Sequence, residues 1–321
     1  MSTMRAVRAH KRGGSEQLVY ETAPRPEPGA GEVLVAVHAA SITTGELSWD
    51  ATWTDSFDGT GRDRTPVVPS HEVSGVVAEL GSTVTGLAVG DEVYGLIPFT
   101  RDGAAAEYVT VPAEALAAKP SRLDHADAAA VPLAALTAWQ ALVGHGSVAA
   151  GQHVLVHGGA GGVGSFAVQI AAALGARVTA TASARDLEFV ARLGADQVFD
   201  YADDRFEDHV SGADVVLDTV GGDTQARSWA VLRPGGTLVS IVQPPDPDDA
   251  GSHGARGVFF VVEPDRTALE AVARLIDDGR LTPVVDRVVP LSETRTAYEA
   301  LQTQHPRGKV VIRVNGDNGI G

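Results

Sequence analysis

Short apolar runs separated by turns rich in glycine and proline make up the first 118 residues of the chain. Runs of this length are typical of β-strands, and the glycine and proline between them indicate tight turns. The runs predict strands at residues 6–10, 33–39, 73–80, 92–95 and 106–111. We therefore expect the first part of the chain to be rich in β-structure.

From about residue 125 onward, apolar strands alternate with alanine-rich helical segments. This alternation predicts a parallel sheet that is covered by helices on both faces. The predicted strands are residues 153–157, 177–182, 197–199, 215–219, 237–241 and 257–262. The predicted helices are residues 126–143, 163–174, 184–193, 223–231 and 265–278. The predicted fold class is therefore α/β, with a doubly wound parallel sheet beside a β-rich domain.

The length of the chain indicates two domains. Its 321 residues exceed the roughly 250–300 residues that a single hydrophobic core organises. We place the β-rich domain at residues 1–120 and the parallel-sheet domain at residues 121–280. Residues 281–321 have a strand, helix and strand pattern, and we expect this tail to return to the first domain.

Charge and composition exclude several classes of protein. The chain has 25 basic and 41 acidic residues, a net charge of −16, which disfavours binding to nucleic acid or anionic lipid. It has no cysteine, so disulfides, thiolate nucleophiles and sulfur-ligated zinc are excluded. The chain has no apolar run long enough to span a membrane, and its first residues lack the apolar core of a secretory signal. We therefore expect a cytoplasmic protein without a membrane partner.

A glycine-rich turn joins the predicted strand 153–157 to the predicted helix 163–174. Its spacing, Gly159-x-Gly161-x-x-Gly164, is that of a Rossmann dinucleotide-binding turn. Glycine is needed there because the turn is tight, the pyrophosphate approaches a bare backbone, and the helix begins close against its strand. The helix N-terminus adds amide groups and partial positive charge. We therefore predict a dinucleotide site, and tight packing alone is the alternative explanation of the glycines.

The residues after the second strand of this domain favour NADPH over NADH. NAD-binding proteins have an acidic residue there, about 20 residues after the glycines, which accepts the ribose hydroxyls. Here the strand ends at Ala182 and is followed by Ser183 and Arg185. A hydroxyl and a guanidinium suit a 2′-phosphate, since arginine offers a fork of donors to phosphate oxygens. The alternative is that Ser183 only caps the next helix and Arg185 is a solvated residue of its first turn.

Several motifs follow one another along nearly the whole chain. In order they are AVRAHKRGG, GEVLVAVHAAS, PSHEVSGVVAELG, VGDEVYG, AAEYV, LTAWQAL, VLVHGGAGGVGSFAVQIA, LGADQVFDY and GKVVIRV. This order resembles the medium-chain dehydrogenase/reductase superfamily, and within it the zinc-free quinone oxidoreductase-like branch. The resemblance implies a GroES-like substrate and catalytic domain, completed by the C-terminal tail, and a Rossmann domain that binds NADPH. It also implies a homodimer joined through the outer Rossmann strand, which residues 257–262 resemble.

The resemblance assigns further residues to the cofactor. Thr137 in LTAW resembles a threonine near the nicotinamide end, and Tyr201 resembles a tyrosine that borders the 2′-phosphate site of Ser183 and Arg185. Other positions match the pyrophosphate turn or the backbone that lines the nicotinamide: Gly161, Gly162, Val163, Ile241, Val242, Gln243, Phe260 and Val261. For the hydrophobic residues among them, burial in an ordinary core is the alternative.

Ser70-His71-Glu72 resembles the Gly-His-Glu sequence around a metal ligand of zinc-dependent relatives. A catalytic zinc needs three protein ligands, and the segments where those relatives have cysteines contain none here. We therefore expect no metal, and a hydrogen-bonded structural pair of His71 and Glu72. The alternative is an alcohol dehydrogenase that holds a metal through His71, Glu72 and another oxygen ligand.

Thr43 is the predicted catalytic residue. Members of the quinone oxidoreductase-like branch often have Asn at this position, and an Asp or similar residue at the position of Glu46. Thr43 still offers a hydroxyl that can donate to a substrate carbonyl. Ser41, Thr44 and Glu46 lie on the same segment and are the alternative candidates.

The loop 44–66 carries three large aromatic residues, Trp49, Trp53 and Phe57. We expect them either to form a flat apolar wall for an aromatic or quinoid substrate or to anchor the loop.

Together these features predict a zinc-independent oxidoreductase that transfers hydride from NADPH to a quinone or an α,β-unsaturated carbonyl. Conjugated acceptors suit a site without a metal, because the charge that arrives with the hydride is delocalised onto oxygen, where hydroxyls and amides can stabilise it. The competing hypotheses are the metal-using alcohol dehydrogenase and a non-catalytic NADPH-binding regulatory protein. The expected partner is a small molecule.

Overall fold

The computed structural model describes residues 2–315. Its strands are β1 Thr3–Ala9, β2 Leu18–Pro24, β3 Glu32–Ile42, β4 Glu72–Leu80, β5 Glu92–Leu96, β6 Tyr108–Pro112, β7 Leu116–Ala118, β8 His153–Val156, β9 Arg177–Ala182, β10 Gln197–Asp200, β11 Ala213–Asp218, β12 Leu232–Ser240, β13 Arg256–Phe259, β14 Val285–Pro290 and β15 Lys309–Arg313. Its helices are α1 Asp50–Trp53, α2 His125–Ala129, α3 Pro132–Trp139, α4 Gly162–Ala173, α5 Leu187–Arg192, α6 Gly222–Ser228, α7 Pro247–Ser252, α8 Arg266–Asp277 and α9 Thr294–Leu301.

The chain divides into two compact units. The first holds the described residues of Met1–Leu133, Glu263–Asp277 and Pro283–Gly321, and the second holds Ala134–Val262 and Asp278–Thr282. Residues 121–133 and 263–277 thus lie in the first unit, although the sequence analysis placed them in the parallel-sheet domain. One reason is that the buried Tyr94 hydroxyl donates a 2.6 Å hydrogen bond to the carbonyl oxygen of Leu269 on α8.

The first unit contains a hairpin and a larger sheet. Strands β1 and β2 pair antiparallel, and the seven-stranded sheet has the order β14-β15-β3-β4-β5-β7, with β6 paired to β3. Strand β15 is antiparallel to β3, with Val310 opposite Ile42. The C-terminal strand therefore brings Lys309 beside Thr43. Residues 316–321 of the predicted tail lie outside the described range.

The second unit contains a six-stranded sheet in the order β10-β9-β8-β11-β12-β13, in which all pairs are parallel. The chain runs outward from β8 to β10 and then returns to the other side of β8 with β11. This reversal of strand order is the Rossmann topology, and ligands bind at the carboxyl edge of such sheets. The predicted α/β class with a doubly wound parallel sheet is confirmed.

Several predicted elements differ in extent from the observed ones, among them the strand predicted at residues 6–10, which is Thr3–Ala9. The predicted helix 126–143 is divided into α2, α3 and a π-helical turn at Gln140–His145. The first break falls before Pro132, because proline lacks an N–H and disfavours helical backbone at the residue before it. The predicted strand 257–262 ends at Phe259. Within residues 2–315, none of the helices combines the length and the apolar composition that crossing a bilayer requires.

Candidate active site

The glycine-rich turn connects β8 to α4 at the carboxyl edge of the Rossmann sheet. A Cβ atom on Gly164 would lie 2.1 Å from the Gly158 carbonyl oxygen, and one on Gly159 would lie 2.9 Å from a methyl carbon of Val190. Both glycines therefore exclude a side chain. The first N–H groups of α4 have no acceptor inside the helix and are available as donors to an anion, and the pyrophosphate site at this turn stays a prediction.

Strand pairing brings Ser183 and Tyr201 to the same edge of the sheet. Ala182 at the end of β9 pairs with Asp200 at the end of β10. The Tyr201 N–H donates to the Ala182 carbonyl oxygen at 3.1 Å. The Tyr201 side chain is largely exposed and can contact a ligand.

Asp186 organises the predicted 2′-phosphate site, a role that the sequence analysis missed. Its carboxylate accepts a 2.6 Å hydrogen bond from the Ser183 hydroxyl and a 3.3 Å hydrogen bond from Arg185 Nε. The Asp186 side chain is 6% exposed, whereas that of Arg185 is 65% exposed. Because this carboxylate is buried and already accepts from two donors, it orients those donors. The guanidinium remains at the surface, where a phosphate can reach it.

The other predicted cofactor residues also belong to the second unit. Ile241, Val242 and Gln243 follow β12, and Phe260 and Val261 follow β13. Since β12 and β13 are parallel, both stretches leave the same edge of the sheet as the glycine-rich turn. Phe260 is only half-buried and lies against the ring of His145, with 4.6 Å between the ring centroids.

Thr137 stands apart from this edge in sequence, on helix α3, and its side chain is buried. Its assignment to the nicotinamide end, like those of the residues after β12 and β13, stays a prediction.

A buried carboxylate, Asp218, fixes the chain at the end of β11. One oxygen accepts from the N–H groups of Val220 at 2.9 Å and Gly221 at 2.8 Å. The other accepts from the Gln225 amide at 3.0 Å and the Ser240 hydroxyl at 2.9 Å. These bonds tie the turn after β11 to the end of β12, just before residues 241–243. In the sequence, this turn could have been recognised from the segment DTVGG, which begins with Asp218 at the end of an apolar strand.

Asp218→Asn is expected to lower the free energy of unfolding by about 2–3 kcal/mol. An amide has one acceptor oxygen, so its NH2 group would face either the backbone N–H groups or the donors of Gln225 and Ser240. Asp223→Asn is the matched control, because that side chain is 85% exposed, and we expect a change within about 0.5 kcal/mol. Urea denaturation measures both variants. If both variants lose the same small amount of unfolding free energy, Asp218 does not fix this turn.

Thr43 lies beside a buried ion pair in the first unit. The Lys309 ammonium is 2.5 Å from Glu72 Oε2 and donates to Thr43 Oγ1 at 3.2 Å. The Thr43 hydroxyl donates to the same Glu72 oxygen at 3.3 Å. Glu72 Oε1 accepts from the Leu133 N–H at 3.0 Å. Glu72 is fully buried and Lys309 nearly so, while Thr43 is partly exposed. The predicted catalytic hydroxyl therefore has a cation and a carboxylate as neighbours.

Lys309 is a site residue that sequence reasoning missed. Its signal was weak but present, because a lysine that opens the apolar strand KVVIR is a candidate for burial with a partner. The predicted pair of His71 and Glu72 does not form as expected. Each of these residues has a different partner, since Glu72 binds Lys309 and His71 binds Glu46.

Glu46 and His71 belong to a second buried network. Glu46 Oε1 accepts from the Ser70 N–H and from His71 Nδ1, both at 2.6 Å, and Oε2 accepts from the Tyr298 hydroxyl at 2.7 Å. Burial by itself raises the pKa of Glu46, but the bonds from His71, Tyr298 and Ser70 outweigh it and hold this pKa below its usual value. Burial, and then the Glu46 charge, raise the pKa of Tyr298 well above its usual value.

The surroundings of His71 do not fit a metal ion. Nδ1 bonds Glu46, and Nε2 lies 3.0 Å from the Arg101 carbonyl oxygen, so both ring nitrogens are engaged. Across residues 2–315, histidine, aspartate and glutamate side chains form no group of three that could hold a metal ion.

The alternatives to Thr43 on its segment have other surroundings. Ser41 is buried and lies 3.4 Å from the Val310 carbonyl oxygen, and Glu46 is buried in the network of His71. Thr44 is exposed and lines a cavity of about 370 Å³ together with Leu47, Tyr298 and other residues. Thr43 is thus the partly exposed hydroxyl that also contacts charged groups.

The aromatic residues of the 44–66 loop do not form one surface. Trp53 belongs to the core of the first unit, and its indole N–H donates to the Leu47 carbonyl oxygen at 3.0 Å. Trp49 packs edge-on against Phe99, with 5.1 Å between the ring centroids. Phe57 is 61% exposed. Trp53 therefore anchors the loop, and an aromatic wall would have to come from Trp49 and Phe57.

Comparison with known proteins agrees with this architecture. Residues 29–121 match the model of the alcohol dehydrogenase GroES-like domain, and residues 193–312 match a model described as zinc-binding dehydrogenase. These matches define an oxidoreductase with a GroES-like domain, as the sequence analysis expected.

Individual relatives extend the comparison to most of the chain. The mouse NAD(P)H oxidoreductase RTN4IP1, a mitochondrial protein, is 33% identical over 88% of this chain and 82% of its own length. The chloroplastic NADPH-dependent alkenal/one oxidoreductase of Arabidopsis thaliana is 38% identical over 77% of this chain and 64% of its own length. The quinone oxidoreductase of Coxiella burnetii superposes with a TM-score of 0.89 at 32% identity, over 98% of this chain and 100% of that one. The chain therefore belongs to the medium-chain dehydrogenase/reductase family, in its quinone oxidoreductase-like branch.

Proposed function

We propose that this protein is a zinc-independent reductase that uses NADPH to reduce an α,β-unsaturated carbonyl or a quinone. The observation that carries the proposal is the arrangement of Thr43, Glu72 and Lys309. It presents a hydroxyl backed by a cation in a buried environment, where a developing oxyanion is stabilised most strongly. The names of the Arabidopsis and Coxiella relatives support conjugated acceptors as the substrate class.

NADPH is the proposed cofactor because of the residues after β9. The Ser183 hydroxyl and the Arg185 guanidinium lie on the same buried Asp186 carboxylate. That carboxylate is only 6% exposed and already accepts from both donors, so it is a poor acceptor for ribose hydroxyls. A 2′-phosphate would bind the exposed guanidinium instead.

The residues of the first unit account for the carbonyl side of the reaction. When bound, NADPH supplies a hydride to the β-carbon of the acceptor, whose C=C π bond breaks as the electron pair moves toward oxygen. The Thr43 hydroxyl donates to that oxygen and stabilises its charge. A water molecule would then protonate the α-carbon and leave as hydroxide, so the products would be the saturated carbonyl compound, NADP⁺ and hydroxide.

The proposal that no metal takes part rests on the bonding of His71. Both of its ring nitrogens already have oxygen partners, and Glu72 is paired with Lys309. A metal at this point would have to break a buried ion pair and a buried hydrogen-bond network. Removing one partner of a buried ion pair costs about 3–5 kcal/mol. Breaking the hydrogen-bond network adds a cost because buried polar groups would lose their partners.

Thr43→Val is expected to lower kcat about tenfold with an enone such as but-3-en-2-one, and to leave the Kd for NADPH unchanged. Valine keeps the shape of the side chain and removes the donor. Absorbance at 340 nm measures NADPH consumption, and metal analysis of the purified enzyme accompanies it.

Three further results decide between the competing hypotheses. Thr44→Val tests the neighbouring exposed hydroxyl, and a loss of kcat there instead of at Thr43 would contradict the assignment. A stoichiometric metal that is required for turnover would favour the alcohol dehydrogenase. Tight NADPH binding without turnover of enones or 9,10-phenanthrenequinone would favour a regulatory protein.

A further inference from the structure

The position of Lys309 decides which way the Thr43 hydroxyl can donate. A threonine hydroxyl has one proton and two lone pairs, while an ammonium group only donates. The 3.2 Å contact between Lys309 Nζ and Thr43 Oγ1 therefore uses a lone pair of the hydroxyl. The single Thr43 proton must point elsewhere, toward Glu72 or toward a bound ligand.

The bond from Thr43 to Glu72 is the longest of three on that carboxylate. Glu72 Oε2 is 2.5 Å from Lys309, and Oε1 accepts from the Leu133 N–H at 3.0 Å. The Thr43 hydroxyl is 3.3 Å away. When the Thr43 proton turns away, each oxygen of Glu72 still has a donor. The hydroxyl can therefore exchange Glu72 for a substrate oxygen without leaving a buried carboxylate unsatisfied.

Burial strengthens the effect of Lys309 on this hydroxyl. Lys309 is 6% exposed and Glu72 is completely buried. In such surroundings hydrogen bonds polarise one another, so a hydroxyl that accepts from an ammonium becomes a stronger donor. The Lys309 charge is also screened less by water in a buried site than it would be at the surface.

We propose that Lys309 is a positioning residue that turns the Thr43 hydroxyl toward the substrate carbonyl oxygen and polarises it. Lys309 acts through Thr43, and Glu72 holds the ammonium in place. This inference rests on the proposed function, since it concerns the oxygen on which the negative charge develops.

A double-mutant cycle tests the coupling between the two residues. Lys309→Met alone would leave the Glu72 carboxylate buried without its cation, so it is combined with Glu72→Gln, which removes both charges together. In enzyme that retains Thr43, we expect Lys309→Met/Glu72→Gln to lower kcat about tenfold. In enzyme that already carries Thr43→Val, we expect the same pair of substitutions to lower kcat less than about twofold. The Kd for NADPH should stay unchanged in all variants.

Lys119→Met is the matched control. The Lys119 side chain is as buried as that of Lys309, at 6% exposed, and lies 3.5 Å from Glu92. Its ammonium donates to the carbonyl oxygens of Leu123 and Pro120 and belongs to a different part of the first unit. We expect kcat to be unchanged in this variant, although its melting temperature can fall.

Binding of 4-nitrophenolate in the presence of NADP⁺ gives a second measurement that needs no turnover. Its charge lies on an oxygen, as in an enolate, and its absorbance reports binding. We expect Thr43→Val and Lys309→Met/Glu72→Gln each to weaken binding about tenfold, and the combined variant to bind no worse than either.

The outcomes separate this inference from the proposed function. If the wild-type enzyme reduces no enone but phenolate binding shows this coupling, the proposed reaction is wrong and the role of Lys309 stands. The role is refuted if the two changes are additive, or if the wild-type protein does not bind phenolate. It is also refuted if Lys309→Met/Glu72→Gln acts on NADPH affinity instead of kcat.

Discussion

Gly164→Ala is expected to raise the Kd for NADPH and for NADH alike by about a hundredfold, because two hydrogen bonds to the charged pyrophosphate contribute about 3 kcal/mol together and each 1.4 kcal/mol is about tenfold in affinity. The added Cβ would lie 2.1 Å from the Gly158 carbonyl oxygen and 3.0 Å from the Gly159 Cα, and all of these neighbours are backbone atoms. Helix α4 must therefore move away from the turn. The N–H groups at its start would lose their position against the pyrophosphate. Titration of nicotinamide fluorescence measures both affinities.

A second glycine provides the control for this substitution. Gly251 lies in α7 of the same unit, and a Cβ atom there would meet nothing within 4 Å. Gly251→Ala should therefore leave both Kd values unchanged. If Gly164→Ala binds NADPH as the unaltered protein does, the pyrophosphate does not lie on this turn.

The sequence predicted the parts of the structure that depend on local rules. The parallel strands are apolar runs, and the alternation of strand and helix predicted that they form a parallel sheet. Gly159 and Gly164 were found because a missing side chain is itself a signal at a fixed spacing. Turns and helix N-termini can be predicted in this way because the residues that form them are close together in the sequence.

The groups that depend on distant pairing were not predictable in this way. Lys309 and Thr43 are 266 positions apart and meet only because β15 pairs with β3 in one register. A shift of one residue would turn Lys309 to the other face of the sheet. The sequence also suggested a pair of His71 and Glu72, whereas His71 precedes the strand that Glu72 opens and bonds Glu46, while Glu72 bonds Lys309. Each of these side chains therefore found a different partner.

Arg185→Ala is expected to raise the KM for NADPH about ten- to a hundredfold and to change that for NADH much less. A charge-assisted hydrogen bond contributes about 1.5–3 kcal/mol, and each 1.4 kcal/mol corresponds to about tenfold in affinity. The Arg185 side chain is 65% exposed beside Ser183, so the contact that it gains from a 2′-phosphate is lost with the guanidinium. Initial rates with each cofactor and a saturating enone measure the two KM values.

The control for Arg185 is an arginine of the same region with no proposed contact to the cofactor. Arg192 on α5 is 67% exposed and pairs with Glu188, so Arg192→Ala removes the same charge from the same unit. If the KM for NADPH depended only on the net charge of the unit, Arg185→Ala and Arg192→Ala would raise it equally. If Arg185→Ala raises both KM values equally, the guanidinium does not recognise a 2′-phosphate.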